Sequence, residues 1–419
     1  MTPSQRPRAV LTGVFFAFAF GLGLFAGAIP TLMRQTGLDT AGLGLALTLH
    51  SAAYVGAMTV GGRMLRRIEV RRLMRGVLVL HALTFVSLFA AGSPLALTVS
   101  LVALGLTAGT VDLAMNTDGT ALELEAGRPV LIRLHAAASG AFALGAIGGS
   151  VVASQFGAPA CAGLAVLSIA PAVWALRRIP PRRAAATVSR AGSAAAERGR
   201  GSRAHLGLPV LLLGVVLGVT IAAEITAQMW SAQFLAQQAQ PNPALAGAGA
   251  ALFAGCQAIV RSLGDTLRRR FDDHRVITVS LVLASLGFAA VALADGFTSS
   301  VLGFALVGVG TACVVPCCFA LVARQAPQRS ADALGVASLV AGVLRLPTPL
   351  CLGFVAATWS DSIAFGGIAG LLAVGVALVA WMRWRATRSP AGRSTALPPP
   401  HHPAAVPDKA ACRPARAVR

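Results

Sequence analysis

Asp112 and Asn116 stand four residues apart inside one long apolar stretch, and Glu224 and Gln228 repeat that spacing inside another. Residues four apart share a helix face, so each pair would set a carboxylate beside an amide. Arg345 lies in a third apolar stretch and is followed by Pro347 and Pro349, which lack a backbone donor and kink or break a helix. Arg133 and His135 open a further stretch shortly after Asp112 and Asn116. Groups of these types can hold a polar ligand, pair with one another or exchange a proton. A charge at the centre of a bilayer costs at least about 2.5 kcal/mol on insertion scales, so such groups must face protein or water.

The elements that would position them are membrane spans. A helix needs about 20 mostly apolar residues to cross a hydrocarbon layer roughly 30 Å thick. Twelve stretches satisfy this, near Ala9 to Met33, Gly42 to Gly62, Leu73 to Ala91, Leu95 to Asn116, Leu131 to Ser154, Ala158 to Leu176, Leu206 to Ala232, Ala244 to Val260, Val276 to Ala294, Ser299 to Val322, Ala331 to Ala356 and Ile363 to Trp381. A hydrophobic fraction of 56%, a charged fraction of 12% and a mean hydropathy of +0.72 exclude an ordinary soluble domain. The first stretch is too long for the apolar core of a secretory signal.

Charge alternates between the connecting segments. Arg6 and Arg8, the cluster from Arg63 to Arg75, Arg128, Arg177 through Arg203, Arg261 through Arg275, Arg324 with Arg329, and the tail from Arg383 form one basic set. The other set holds Arg34 as its one basic residue, with Asp39, Asp295 and Asp361. Cytoplasmic loops carry the arginine and lysine excess, so this pattern predicts a multi-pass protein of a bacterial cytoplasmic (inner) membrane with both termini in the cytoplasm. It also accounts for the net charge of +20 without nucleic acid as a partner.

The seven cysteines make no disulfide framework. Cys313, Cys317 and Cys318 have no histidine or acid in their own span, so they read as packing residues, and no metal or cofactor is expected. An Ala/Gly/Ser/Arg segment with Pro180 and Pro181 separates six spans from six. The expected organisation is a bundle over residues 1–177, a basic cytoplasmic linker over 178–205, a second bundle over 206–383 and a disordered tail over 384–419. Gly62, Leu65, Arg66 and Arg67 reappear as Gly264, Leu267, Arg268 and Arg269, a faint echo of duplication.

Twelve spans, a basic central linker and basic loops after spans two and eight resemble the major facilitator superfamily of secondary transporters. That resemblance implies an all-α integral membrane protein, two six-helix bundles and a solute site between them near midplane. The run Asp112-Leu113-Ala114-Met115-Asn116, then Gly127-Arg128-Pro129, Arg133-Leu134-His135 and a glycine-rich fifth span, resembles bacterial members of the fucose-permease-like branch. The loop after span two departs from the superfamily pattern: Arg66 stands where an acid is expected and Glu69 near the second glycine. A latch between that acid and a neighbouring arginine is thereby in doubt.

On this reading the chain is a secondary transporter, acting as a monomer on a small sugar-like or anionic solute with protons as the coupling ion. At 1.5 Å per residue, Glu224 lies about 24 Å and Arg345 about 20 Å from the inner face, a depth at which the two could pair. Asp112 either pairs with Arg133 as a gate, with His135 nearby, or lines the substrate and proton path with Asn116. Asp112 and Glu224 are the candidate proton carriers, because burial penalises a carboxylate's charge and a neighbouring cation favours it. Arg345 is the first candidate to hold the solute. His50 and His81 read as interhelical hydrogen-bonders. A membrane enzyme is the rival, built on Asp118, Glu123, Glu125 and His135, and a transporter-derived sensor is the third reading. No phosphate-binding loop of the ATPase type is present.

Overall fold

The computed structural model describes residues 5–127, 130–181, 207–240, 242–326 and 329–388. Arg128, the linker core and the tail beyond Arg388 lie outside the described residues, and with them the expectations placed there. Among the described residues twelve helical spans are long and apolar enough to cross a membrane: Arg6–Thr36, Thr40–Met64, Val70–Phe89, Pro94–Ala126, Leu131–Phe156, Pro159–Leu176, Leu208–Gln238, Pro243–Gly264, Asp273–Ala292, Phe297–Gln325, Asp332–Thr358 and Asp361–Arg385. The tenth is two helices, Phe297–Thr311 and Val314–Gln325, and the eleventh breaks between Arg345 and Thr348, where Pro347 and Pro349 interrupt the ladder. One compact unit takes in the chain up to Ala380. From Trp381 a second unit begins, in which Arg385 lies over the Trp381 ring and Arg388 over that of Trp384.

Two expected boundaries move. Span four runs to Ala126 rather than Asn116, because its polar end is held by protein contacts rather than by lipid. Span eight carries its helix on to Arg270, which takes Arg261 out of the basic loop and into the bundle.

Side-chain caps fix where several spans begin. Asp39 accepts from Gly42 N (2.7 Å) at span two, and Ser93 from Ala96 N at span four, with Pro94 in the first turn. Glu69, in the loop after span two, caps span three by accepting from Arg71 N and Arg72 N. Asp272 does the same for His274 N and Arg275 N at span nine. Glu123 of span four reaches across to accept from Val130 N (2.7 Å) and Leu131 N (2.9 Å), capping span five from a neighbouring helix.

At the basic ends each half has an ion pair built on a buried acid, with opposite polarity, and the first of them is buried on both sides. Arg71 at the start of span three grips Asp118 of span four through Nε (2.9 Å) and Nη2 (3.2 Å), with side chains 4% and 0% exposed, and donates Nη1 to Pro180 O. The 202-residue offset of the sequence echo carries Arg71 onto Asp273. There the acid is on span nine and accepts from Arg268 (3.0 Å) and from Arg324 of span ten.

Small residues let the helix axes close up. A side chain at Gly105 or Gly109 of span four would strike His50 O or Tyr54 O of span two, so these glycines allow the approach that brings Tyr54 to Asp112. Gly109→Leu is expected to cost about 1–3 kcal/mol as an overpacked contact, seen as a lowered melting temperature of the detergent-purified protein. An unchanged melting temperature would show that the two spans do not meet there.

Candidate functional site

Tyr54 on span two and Asp112 on span four meet in a hydrogen bond, Tyr54 Oη to Asp112 Oδ2 at 2.7 Å. One turn on, Asn116 Nδ2 donates to Asp112 Oδ1 (2.9 Å) and to its own helix at Asp112 O. His135 of span five donates Nε2 to Asn116 Oδ1 at 3.0 Å, and its ring edge meets Phe15 of span one at 5.3 Å between centroids. The result is a hydrogen-bonded chain across spans two, four and five of the first half.

That chain corrects one expectation. Asp112 makes no ion pair with Arg133, whose side chain is exposed. Both carboxylate oxygens are already taken by the tyrosine and the asparagine, and a charged partner at the open end of span five would have to leave water to compete. His135, by contrast, does join the cluster.

Glu224 corrects a second. Its partner is Arg261 of span eight (Nη2 to Oε1, 3.3 Å), not Arg345. Gln257, one turn before Arg261 and 1% exposed, donates Nε2 to the same oxygen (2.8 Å) and to Thr311 of span ten (3.3 Å). The other arm of Arg261 donates Nη1 to Ser139 of span five at 3.1 Å, crossing from the second half to the first. Gln228 follows Glu224 by one turn, half-buried, and makes no hydrogen bond among the described residues.

Arg345 ends the helical segment before the break in span eleven. Its guanidinium lies over the Tyr54 ring, 5.9 Å from the centroid, and makes no ion pair among the described residues. A half-buried cation from one half therefore covers the tyrosine that binds the carboxylate of the other.

The halves meet closely at their charge-poor ends. Gly44 of span two and Gly353 of span eleven face each other backbone to backbone. Ser150 of span five donates to Pro243 O (3.3 Å) and accepts from Gly247 N (3.0 Å) at the start of span eight. A depression of about 720 Å³ lies beside this seal, lined by Arg34, Asp39, Gln233, Gln237 and Gln240 among others.

The residues of the enzyme reading are engaged elsewhere. Asp118 holds Arg71, Glu123 caps span five and His135 binds Asn116. Among the described residues no group of three histidine, cysteine or acidic side chains could hold a metal ion.

Sequence reasoning missed Tyr54, Ser139, Gln257, Arg261 and Thr311. The signal was there for two of them: Gln257 and Arg261 repeat the four-residue polar spacing of the other pairs. Tyr54 is the one tyrosine of the chain.

Comparison with known proteins gives a consistent picture. A family model described as Major Facilitator Superfamily matches residues 212–415. An uncharacterized MFS-type transporter of Yersinia pestis is 28% identical over 364 residues, covering 85% of this chain and 91% of the relative. A crystal structure of a mutant of the nucleoside transporter NupG superposes with a TM-score of 0.70 at 15% identity, covering 90% of this chain and 99% of that one. The human organic anion transporter MFSD10 superposes with a TM-score of 0.60 at 17% identity, over 90% and 100% of the two chains. The twelve-span architecture, the matching family model and the transporter relatives give this chain the fold of the Major Facilitator Superfamily and support a membrane transporter.

Proposed function

We propose that the chain is a secondary active transporter that moves a small anionic or sugar-like solute across the cytoplasmic membrane by alternating access, coupled to protons. The observation that carries this reading is Arg345. It is a cation deep in a span, half-buried, over the Tyr54 ring, with the charge of Asp112 acting on it through space but no ion-pair contact among the described residues. An unpaired charge at that depth is costly, and a solute carboxylate or a set of hydroxyls would offset the cost. Asp112, Asn116 and Gln228 supply further polar contacts on the facing spans, and Glu224 is the carboxylate placed to trade a proton. His135 orients Asn116 in this arrangement, and Arg133 stays at the basic rim.

The direction of the spans follows from the arginine excess, which assigns the basic ends and both termini to the cytoplasm. The run from Asp112 to His135 resembles that of the fucose-permease-like branch, a resemblance that supports a hydroxylated or acidic cargo. We expect a monomer, since each half already partners the other.

The test is a ligand screen followed by flux. Purified protein is screened for thermal stabilisation by sugars, sugar acids and small carboxylates, and each hit is tested for counterflow in proteoliposomes. A hit that exchanges across the vesicle membrane supports transport. A hit that binds without exchange favours the sensor reading, and chemical conversion of a hit would establish the enzyme.

A further inference from the structure

Arg261 is bonded on both sides of the interface between halves. Nη2 takes Glu224 on span seven and Nη1 takes Ser139 on span five. Nearer the charge-poor ends the same two spans, five and eight, are already joined through Ser150 and Gly247. Arg261 lies about fourteen residues further along span eight, roughly 20 Å by helical rise, and is thus a second and separate tie toward the basic side.

The two site carboxylates differ in what protonation would disturb. Asp112 is hydrogen-bonded by Tyr54 and Asn116, both in its own half, and Arg345 of the other half acts on it through space, over the tyrosine ring, without an ion-pair contact. Glu224 is bound by Gln257 and by Arg261, whose other arm is hydrogen-bonded to Ser139 of the opposite half. Neither member of this pair is sealed in protein: the Glu224 and Arg261 side chains are 14% and 22% exposed. Other groups around Glu224 are few. Span eight contributes Gln257 and Arg261, and span ten contributes Thr311 and, beside Arg261, Cys313, while Arg345 of span eleven lies over Tyr54 instead. Span one packs on span seven and has no titratable residue between Arg8 and Arg34. His135 lies on the far side of Arg261, on span five.

The geometry points to Arg261 as the positioning residue that couples the two halves to the proton: it bridges Glu224 and Ser139 when Glu224 is charged and lets go of Ser139 when Glu224 is neutral. This rests on the proposed transport function and adds which carboxylate is read, and by what. The physical reason is that a guanidinium holds its rotamer through charge-assisted bonds. Remove the charge on Glu224, and the arm that fixes Arg261 under Ser139 weakens with it. The proton itself moves between bulk water and a Glu224 oxygen, with no other bond made or broken.

The test needs no solute. Spin labels are placed by Leu124→Cys at the basic end of span four and Arg270→Cys at that of span eight, both exposed positions, in full-length protein with its native cysteines replaced, reconstituted in liposomes. Interlabel distances are measured at alkaline and at acidic pH. Acidification is expected to shift the distance distribution of the parent protein. Glu224→Gln is expected to show the acidic distribution at both pH values, Ser139→Ala to populate it already at alkaline pH, and Ser139→Thr, which keeps a hydroxyl, to behave as the parent. Asp112→Asn should retain the pH response. A parent distribution indifferent to pH, a persisting acid shift in Glu224→Gln, or its loss in Asp112→Asn would each overturn the assignment. A protein that shows the expected shifts but yields no exchanging solute would instead count against the transport reading alone.

Discussion

Arg345→Ala is expected to weaken binding of the cognate solute by about 10- to 150-fold while leaving the protein folded. Hydrogen bonds to a charged group are worth about 1.5–3 kcal/mol, and about 1.4 kcal/mol is a factor of ten. The effect should appear as loss of ligand-dependent thermal stabilisation and in equilibrium binding to purified protein. Arg345→Lys should recover part of it if the solute is a simple anion, and little if two parallel bonds to a carboxylate or to vicinal hydroxyls are made, because the ammonium is a point charge without the planar fork. Because Arg345 has no ion-pair partner of its own among the described residues, the variant orphans no carboxylate, and its ligand-free melting temperature should stay near that of the parent. A variant that binds as tightly as the parent would remove Arg345 from the site.

The largest loss of stability is expected at the other extreme of burial. Asp118→Ala leaves the Arg71 guanidinium, 4% exposed, with Pro180 O as its remaining side-chain contact in place of a bidentate carboxylate. Breaking a buried pair by removing one partner costs about 3–5 kcal/mol, so the purified protein should melt well below the parent and express poorly. Replacing both residues by apolar ones, Arg71→Met with Asp118→Leu, should recover much of the loss, since no charge is then stranded. If the double variant melts as low as the single one, the pair is serving something beyond its own satisfaction.

The sequence disclosed the layout more readily than the partnerships. Twelve apolar stretches and alternating arginine clusters are one-dimensional signals, because lipid demands a continuous run of apolar residues whichever helices later pack together. The spacing of Asp112 with Asn116, and the isolation of Glu224, were legible for the same reason: a polar residue inside a span is conspicuous. Which residues answer them was not. Arg261 shares its neighbourhood with Arg268, Arg269 and Arg270, so a charge-based boundary ends the span too early and hands Arg261 to the loop. Depth along a helix placed Glu224 and Arg345 at similar levels, but depth carries no information about rotation, and rotation turns Arg345 toward Tyr54 and Glu224 toward span eight. Arg133 failed as a partner for Asp112 by the converse error, being close in sequence yet on an exposed side of its helix. Glu69 and Glu123 looked like loop charges and proved to be helix caps.

The reach of Glu123 from one helix to the first peptide groups of the next has a mechanical meaning. A cap supplied by a neighbour welds the two helices at that end, since separating them would strip both the carboxylate and two amides of their bonds at once. Spans four and five should therefore travel as a single lever during any rearrangement, carrying Asn116 and His135 in fixed register. Whatever slides in this molecule must slide elsewhere.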